Sequence, residues 1–299
     1  MGWAVLDRLV GEPELLFEAC RQGRPQVFTP AVLPQEVPTL RELTGALSGG
    51  LMRTPYVEMV REGAVVPAAE FSAARVVAGG HEEGFADPEQ IMRLLAEGAT
   101  LLLPRLDQWN ASVGALTALV SQDLRRVTEA FCFATMAGRR GLDVHRDDAD
   151  VLVVQLAGRK EWTVYDAPAD GDRHPRPVPG PGEPALVAVV GAGDVLYVPR
   201  GAPHTATGNE GLSVHLALTI REAGTNRLCQ TLADLLTEPV TGEPPRPMTE
   251  AQLLDTTREL IEAARKRMAA GTPGELLERA RVPLPAMAGA APAPRPGVG

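Results

Sequence analysis

Little in this chain is aromatic: Phe, Trp and Tyr together make up 4% of its 299 residues. An apolar content of 44% still supports a real core, built largely on aliphatic side chains. A positive charge balance is missing too. The formal net charge of −9 and the pI near 5.2 argue against an electrostatic grip on nucleic acid, although not against a basic peptide or protein substrate. Cysteines are few (Cys20, Cys132 and Cys229), widely spaced and without a CxxC pair. Buried thiols in a reducing cytosol are therefore expected, not disulfides or a cysteine-bound metal cluster. The opening stretch MGWAVLDRLVGEPELLFEAC contains acidic residues and lacks the uninterrupted apolar core of a signal peptide. No run approaches the length of a transmembrane span. The expectation is a soluble, cytoplasmic protein with neither a membrane nor a nucleic-acid partner.

Trp3–Cys20 reads as a helix, Gln26–Phe28 as a short strand, and Leu40–Leu47 as a helix stopped by Gly49-Gly50. A polar, extended region with Pro67 and Gly79-Gly80 as breakers follows. Asp87 then caps a helix with Pro88 in its first turn and Gly98 at its end, and Thr100–Leu103 suits a buried strand. From Val127 to Ile220 short strands alternate with Gly/Pro clusters: Ala130–Thr135, Asp150–Leu156, Glu161–Tyr165, Ala185–Val190, Asp194–Val198 and Leu212–Ile220. This spacing predicts a β-sandwich or barrel, with Ala167–Pro184 as an exposed loop. Beyond Ala223 the pattern turns helical over Arg227–Thr237 and Thr249–Ala270, where Thr249 and Gln252 form a capping-box pair. Leu253, Leu254, Leu260, Ile261, Ala264 and Met268 make an apolar stripe that is either core or a dimer seam.

The chemistry is concentrated in His145-Arg146-Asp147 and in His204, which closes the segment GDVLYVPRGAPH. Residues two apart on a strand share a face, so His145 and Asp147 can converge on one ion. Pro199 and Gly201 bend the chain after Val198 and aim His204 back toward them. Two histidines and one carboxylate make the facial triad of non-haem Fe(II) oxygenases, which leaves coordination positions open. His81 and His174 sit in polar loop sequence and are expected to be solvated.

Lys160 lies in the run Gly158-Arg159-Lys160-Glu161-Trp162. Strand alternation turns either Lys160 or the pair Arg159 and Glu161 outward. An inward lysine needs an anionic partner, which a carboxylate-bearing cosubstrate would supply.

The stretches HRDDADVLVVQLAGRKEWTVYDAP and DVLYVPRGAPHTATGNEGLSVHLALTI resemble the JmjC/cupin-type ribosomal oxygenases, which are Fe(II)- and 2-oxoglutarate-dependent protein hydroxylases. The resemblance extends upstream through RTPYVEMVREG and LLAEGATLLLPRLD. It implies a mainly β fold, a double-stranded β-helix or jelly roll, with flanking helices and a small helical C-terminal segment. It covers residues 1–222 as an oxygenase domain; the helical pattern beyond it reads as a segment over 223–282 that is a candidate for dimerisation, and the Pro/Ala/Gly-rich composition of 283–299 predicts a disordered tail. His145, Asp147 and His204 match the family's iron ligands. Lys160 matches the residue that pairs with the distal carboxylate of 2-oxoglutarate; Thr135, and Ser213 with His215 in SVHLALT, fall on strands that line the same pocket. The family's Asn-x-Tyr is replaced by Phe131-Cys132-Phe133, and the winged-helix ending of the larger members is not apparent.

The implied activity is hydroxylation of an amino-acid side chain in a protein or peptide, with Fe(II), 2-oxoglutarate and O2. A free amino acid or natural-product intermediate is the alternative substrate. A metal cupin that does not use 2-oxoglutarate, and a non-enzymatic binding barrel, are the competing classes.

Overall fold

The computed structural model describes residues 2–168, 171, 173–237 and 249–281. Its contacts divide into two units. The first joins Met1–Leu124 to Thr128–Arg221; the second comprises Arg125–Val127 and the described residues after Arg221.

Thirteen strands are found among the described residues. In chain order they are β1 (Gln26–Phe28), β2 (Glu58–Arg61), β3 (Ala64–Val65), β4 (Ser72–Val77), β5 (Gly80–Ala86), β6 (Thr100–Leu103), β7 (Val127–Met136), β8 (His145–Arg146), β9 (Asp150–Tyr165), β10 (Arg176–Pro177), β11 (Pro184–Gly191), β12 (Val195–Val198) and β13 (His204–Arg221). Strands β4 and β5 form a separate hairpin, and the other eleven make one sheet in the order β1-β12-β9-β13-β7-β6-β2-β3. Off that path, β11 pairs with β9, while β8 joins β10 to β13. The architecture is a large antiparallel sheet of jelly-roll type with flanking helices.

Two long strands shape it. The first half of β9 pairs with β12 and with the second half of β13; its second half pairs with β11 and the first half of β13. Alternation along these strands feeds two cores. Leu152, Val154, Leu216 and Leu218 pack with helix residues such as Leu6, Leu9, Ile91, Leu94, Val113 and Leu116. Val151, Val153 and Ala217 face the other way and meet Trp162, Val164 and Val198 inside the barrel.

Several expectations change. The strands read at Asp150–Leu156 and Glu161–Tyr165 are one strand, bent at Gly158. Gly158 has φ +63°, and a Cβ there would run into the Leu212 carbonyl oxygen, so the residue marks a close backbone crossing, not a strand end. Likewise the strand read at Leu212–Ile220 begins with His204 itself. The helix expected over Trp3–Cys20 is two helices, Leu6–Val10 and Pro13–Gln22, separated at Gly11 with φ +75°. The extended region after Gly50 contains β2–β5. The described part of the Ala167–Pro184 loop carries β10.

The helix over Pro88–Ala96 is capped as expected, with the Asp87 side chain accepting from the backbone N–H groups of Glu89 and Gln90. Helices Leu106–Trp109 and Ala111–Leu124 complete the first unit's helical flank. The second unit holds helices Thr225–Thr237, Glu250–Ala270 and Pro273–Arg281. Thr249 and Gln252 make the capping box, and Arg281 grips Glu222 with two hydrogen bonds of 2.9 Å. The stripe residues Leu253, Leu254, Leu260, Ile261 and Met268 are all exposed, so they are not core of this unit. Residues 283–299, read as a disordered tail, lie outside the described residues. Among the described residues no helix is long and apolar enough to cross a membrane.

Candidate metal centre

Strand register builds the site. His204, the first residue of β13, lies directly opposite His145 of β8, and Asp147 follows β8 at once. A turn from Pro199 to Ala202 delivers His204: Ala202 N–H donates to the Pro199 carbonyl at 3.0 Å, and Gly201 supplies the positive φ of +77° that a type II turn needs at its third position. Gly201 N–H donates to the Asp147 carbonyl at 2.9 Å, tying the turn to the ligand-bearing segment.

Three carboxylates in this segment do different work. Asp147 faces the histidines. Asp148 accepts from Arg200 Nε at 2.6 Å, and Asp150 accepts from the Tyr197 hydroxyl at 2.8 Å and the Arg200 N–H at 3.0 Å, so both hold the turn.

One ligand atom each from His145, Asp147 and His204 lies within 4.8 Å of the other two. The His204 Nε2 to Asp147 Oδ2 distance is 3.7 Å, and the two imidazole centroids are 4.5 Å apart. In both rings Nδ1 meets a backbone carbonyl: Asp143 at 2.8 Å for His145, Ala202 at 3.0 Å for His204. A carbonyl only accepts, so Nδ1 carries the hydrogen and Nε2 keeps its lone pair, the outer-sphere pattern of metal-bound histidine. Burial pushes His204 down to about 4, with the nearby His145 adding to the effect, which leaves the ring neutral at physiological pH. The donor set of two imidazoles and one carboxylate fits Fe(II) and leaves part of the coordination sphere free.

The triad opens into a cavity of about 410 Å³ lined also by Thr135, Phe133, Lys160, Trp162 and His215. Lys160 points inward and is 1% exposed, while Arg159 and Glu161 face solvent, which settles the alternation. Its Nζ donates to Thr135 Oγ1 at 3.2 Å and to His215 Nδ1 at 3.0 Å, and Thr135 Oγ1 also meets Thr100 Oγ1 at 3.2 Å. Burial pushes the Lys160 ammonium down to about 7.

Ser213 is buried and is not among the residues that line this cavity. Its hydroxyl accepts from Gln155 Nε2 at 2.8 Å. The register of β13 against β9 shifts between Glu210 and Val214 and again between Val214 and His215, so a spacing of two from His215 does not carry the same placement. The strand's contribution to the pocket is His215, with Ala217 and Thr219 beyond it. His81 stands on the exposed strand β5, and His174 is exposed with its carbonyl accepting from Arg146 Nε at 2.9 Å.

Residues 110–228 match the JmjC domain family. Among particular proteins, the chain is similar to the bifunctional lysine-specific demethylase and histidyl-hydroxylase NO66 of Drosophila erecta, with 29% identity over 145 residues, 46% of this chain and 22% of that protein. It is also similar to ribosomal oxygenase 1 of Rattus norvegicus, with 31% identity over 165 residues, 51% of this chain and 28% of that protein. These matches thus span about a quarter of the relatives' length. The solved structure of YcfD, a ribosomal oxygenase from Escherichia coli, in complex with cobalt and 2-oxoglutarate shares the fold: the TM-score is 0.53 at 19% identity, covering 89% of this chain and 70% of that one.

Proposed function

We propose that this chain is an Fe(II)- and 2-oxoglutarate-dependent oxygenase that hydroxylates an amino-acid side chain in a protein or peptide. The observation that carries the reading is one cavity holding both an open three-ligand metal site and a buried lysine. A metal cupin without an anionic cosubstrate would have no use for Lys160 at that depth. The names of the similar proteins, a histidyl-hydroxylase and ribosomal oxygenases, support the reaction class and a protein substrate.

His145, Asp147 and His204 would hold the metal. When bound, Fe(II) supplies oxygen activation coupled to oxidative decarboxylation of 2-oxoglutarate to succinate and carbon dioxide. Lys160 would anchor the distal carboxylate of the cosubstrate, with Thr135 fixing the ammonium. The carbonyls of Asp143 and Ala202 hold the two imidazoles in their ligating tautomer. Phe131, Phe133 and Trp162 make apolar walls that keep water from the reacting atoms.

The same reading assigns the oxygenase domain to residues 1–222 and a dimerising role to the helical segment of 223–282, on the strength of the exposed stripe on helix Glu250–Ala270. Three cysteines without a disulfide among the described residues support work in a reducing cytoplasm.

The test is incubation of the full chain with Fe(II), 2-oxoglutarate, air and a panel of basic peptides drawn from ribosomal proteins. Succinate formation matched by a one-oxygen mass gain on a peptide side chain is the expected result. Succinate formed without peptide modification, but matched by oxidation of a free amino acid, would move the substrate to the small-molecule alternative. No succinate under any condition would reject the reaction class.

A further inference from the structure

Two rows of alternate residues on neighbouring strands lead from the buried lysine to the surface. On β13 the row is His215, Ala217, Thr219 and Arg221; on β7 it is Thr135, Phe133, Phe131 and Glu129. At the inner end Lys160 Nζ touches both rows, at Thr135 Oγ1 (3.2 Å) and at His215 Nδ1 (3.0 Å). At the outer end Arg221, which is exposed, donates from Nε to Glu129 Oε2 at 2.7 Å. His215 to Arg221 spans about 20 Å of strand, so the cavity has a closed lysine end and an open mouth. The triad stands nearer the mouth: Trp162 lies 5.2 Å from His215 and 6.1 Å from His204, and Asp147 is partly exposed.

Between metal and mouth the wall is apolar. Val198 of β12, Val151 of β9 and Thr219 of β13 lie side by side in register, with Phe131 on the next strand. One step further in, Val153 stands opposite Ala217. Of the described residues, two carboxylates line this cavity. Asp147 belongs to the triad, and Asp148 accepts from Arg200 Nε at 2.6 Å. Just outside, Glu129 is held by Arg221 and by Arg105 at 3.2 Å. A guanidinium or imidazole entering from the mouth would leave water without a free carboxylate to receive it, whereas an aliphatic chain gains by the same burial.

We propose that the side chain this protein hydroxylates is aliphatic, of the leucine and isoleucine class, and that Phe131 and Val151 are the residues that select it. The inference deepens the oxygenase reading above and rests on it: the cosubstrate takes the Lys160 end, so the side chain to be oxidised comes from the mouth. One atom of O2 enters a C–H bond of that side chain to give C–OH. The other atom ends in succinate as 2-oxoglutarate loses carbon dioxide, so two electrons come from the C–H bond and two from the oxo acid. The substrate class thus differs from the one in the name of the similar histidyl-hydroxylase NO66.

The full chain with Fe(II), 2-oxoglutarate and air is offered peptide libraries with random flanks and a fixed central residue: leucine, isoleucine, histidine or arginine. Succinate release and a one-oxygen mass gain at the central residue are read together. The leucine and isoleucine libraries should exceed the histidine and arginine libraries at least about tenfold in both. Phe131→Asn should lower that ratio at least about fivefold, while Phe131→Leu, which keeps the wall apolar, should hold it within about twofold. The wild-type ratio needs no variant, so the proposal stays open to refutation even if Phe131→Asn lacks a cooperative melting transition.

A histidine or arginine library oxidised as readily as the leucine one would overturn the proposal. So would succinate release that none of the libraries stimulates. An unmoved ratio in a folded Phe131→Asn would overturn the role given to Phe131. No succinate from the wild type, with or without peptide, would instead reject the oxygenase reading itself.

Discussion

His204 stands opposite His145 across the β8–β13 pair, with the two imidazole centroids 4.5 Å apart. The metal centre is thus set by strand register. A slip of one residue in that pairing would turn one histidine to the other face of the sheet.

Removing the carboxylate should release the metal while sparing the fold. Asp147 is partly exposed, and its side chain stands 3.7 Å from His204 Nε2. Asp147→Ala is expected to lower Fe(II) or Mn(II) affinity by at least about a hundredfold. Saturating Mn(II) should raise the melting temperature of the wild type and leave that of the variant unchanged. Metal analysis and a thermal melt with and without chelator check both statements.

Gly158 carries the bend of β9. Its φ of +63° and the nearby Leu212 carbonyl leave no space for a Cβ. Gly158→Ala is expected to cost about 2 kcal/mol or more of stability. Because Lys160 is two residues on, cosubstrate binding should weaken as well. Urea unfolding and a ligand titration on the same sample measure the two effects.

The binding of 2-oxoglutarate should depend on pH through Lys160. Burial lowers this group from 10.5 to about 7 when no anion is bound. Binding needs the charged form, so above pH 7 it must take up a proton, and affinity should fall by up to about tenfold per pH unit. Lys160→Arg, charged throughout, should flatten that profile. The sign for stability is opposite. Between about 7 and 10.5 the unfolded chain holds the Lys160 proton and the folded chain does not, so this group's contribution to stability rises with pH across that window and is at its least below 7. Titrations in buffers of different ionisation enthalpy count the proton, and urea melts across the window test the second sign.

The exposed stripe predicts self-association. Leu253, Leu260 and Met268 are each more than half exposed on one helix. The full chain should behave as a dimer in light scattering at micromolar concentration, and Leu253→Lys with Leu260→Lys should make it a monomer. A wild-type monomer would remove the dimerising role from the helical segment.

How much of this could be read from the residues differs by element. The ligand set was legible because a histidine and an aspartate two apart, and a proline/glycine turn ending in histidine, are local patterns. Lys160 was legible as a candidate but not as buried, since alternation admits two opposite faces and only the packing of β9 chooses between them. Gly158 reads as a strand breaker because its local signal is the same whether a strand ends or bends; the difference lies in the Leu212 backbone far along the chain. Helix Ala111–Leu124 was missed because its buried face (Val113, Leu116, Thr117, Val120 and Ser121) includes two polar residues while its outer side carries Ala115, Ala118 and Leu119, which leaves little polar-to-apolar contrast. Ser213 packs on Gln155 while His215, two residues on, lines the cavity, because register shifts in β13 break the count of two. Asp148 and Asp150 take their roles from Arg200 and Tyr197, which strand pairing alone brings to them.

The most direct test of the account is anaerobic loading of the full chain with Fe(II), followed by titration with 2-oxoglutarate while the visible metal-to-ligand charge-transfer band is watched, in wild type and Lys160→Ala. A saturable band in the wild type, shifted to much higher 2-oxoglutarate concentration in the variant, is the predicted result. No band despite full Fe(II) occupancy would contradict the shared cavity of metal and cosubstrate on which the assignment stands.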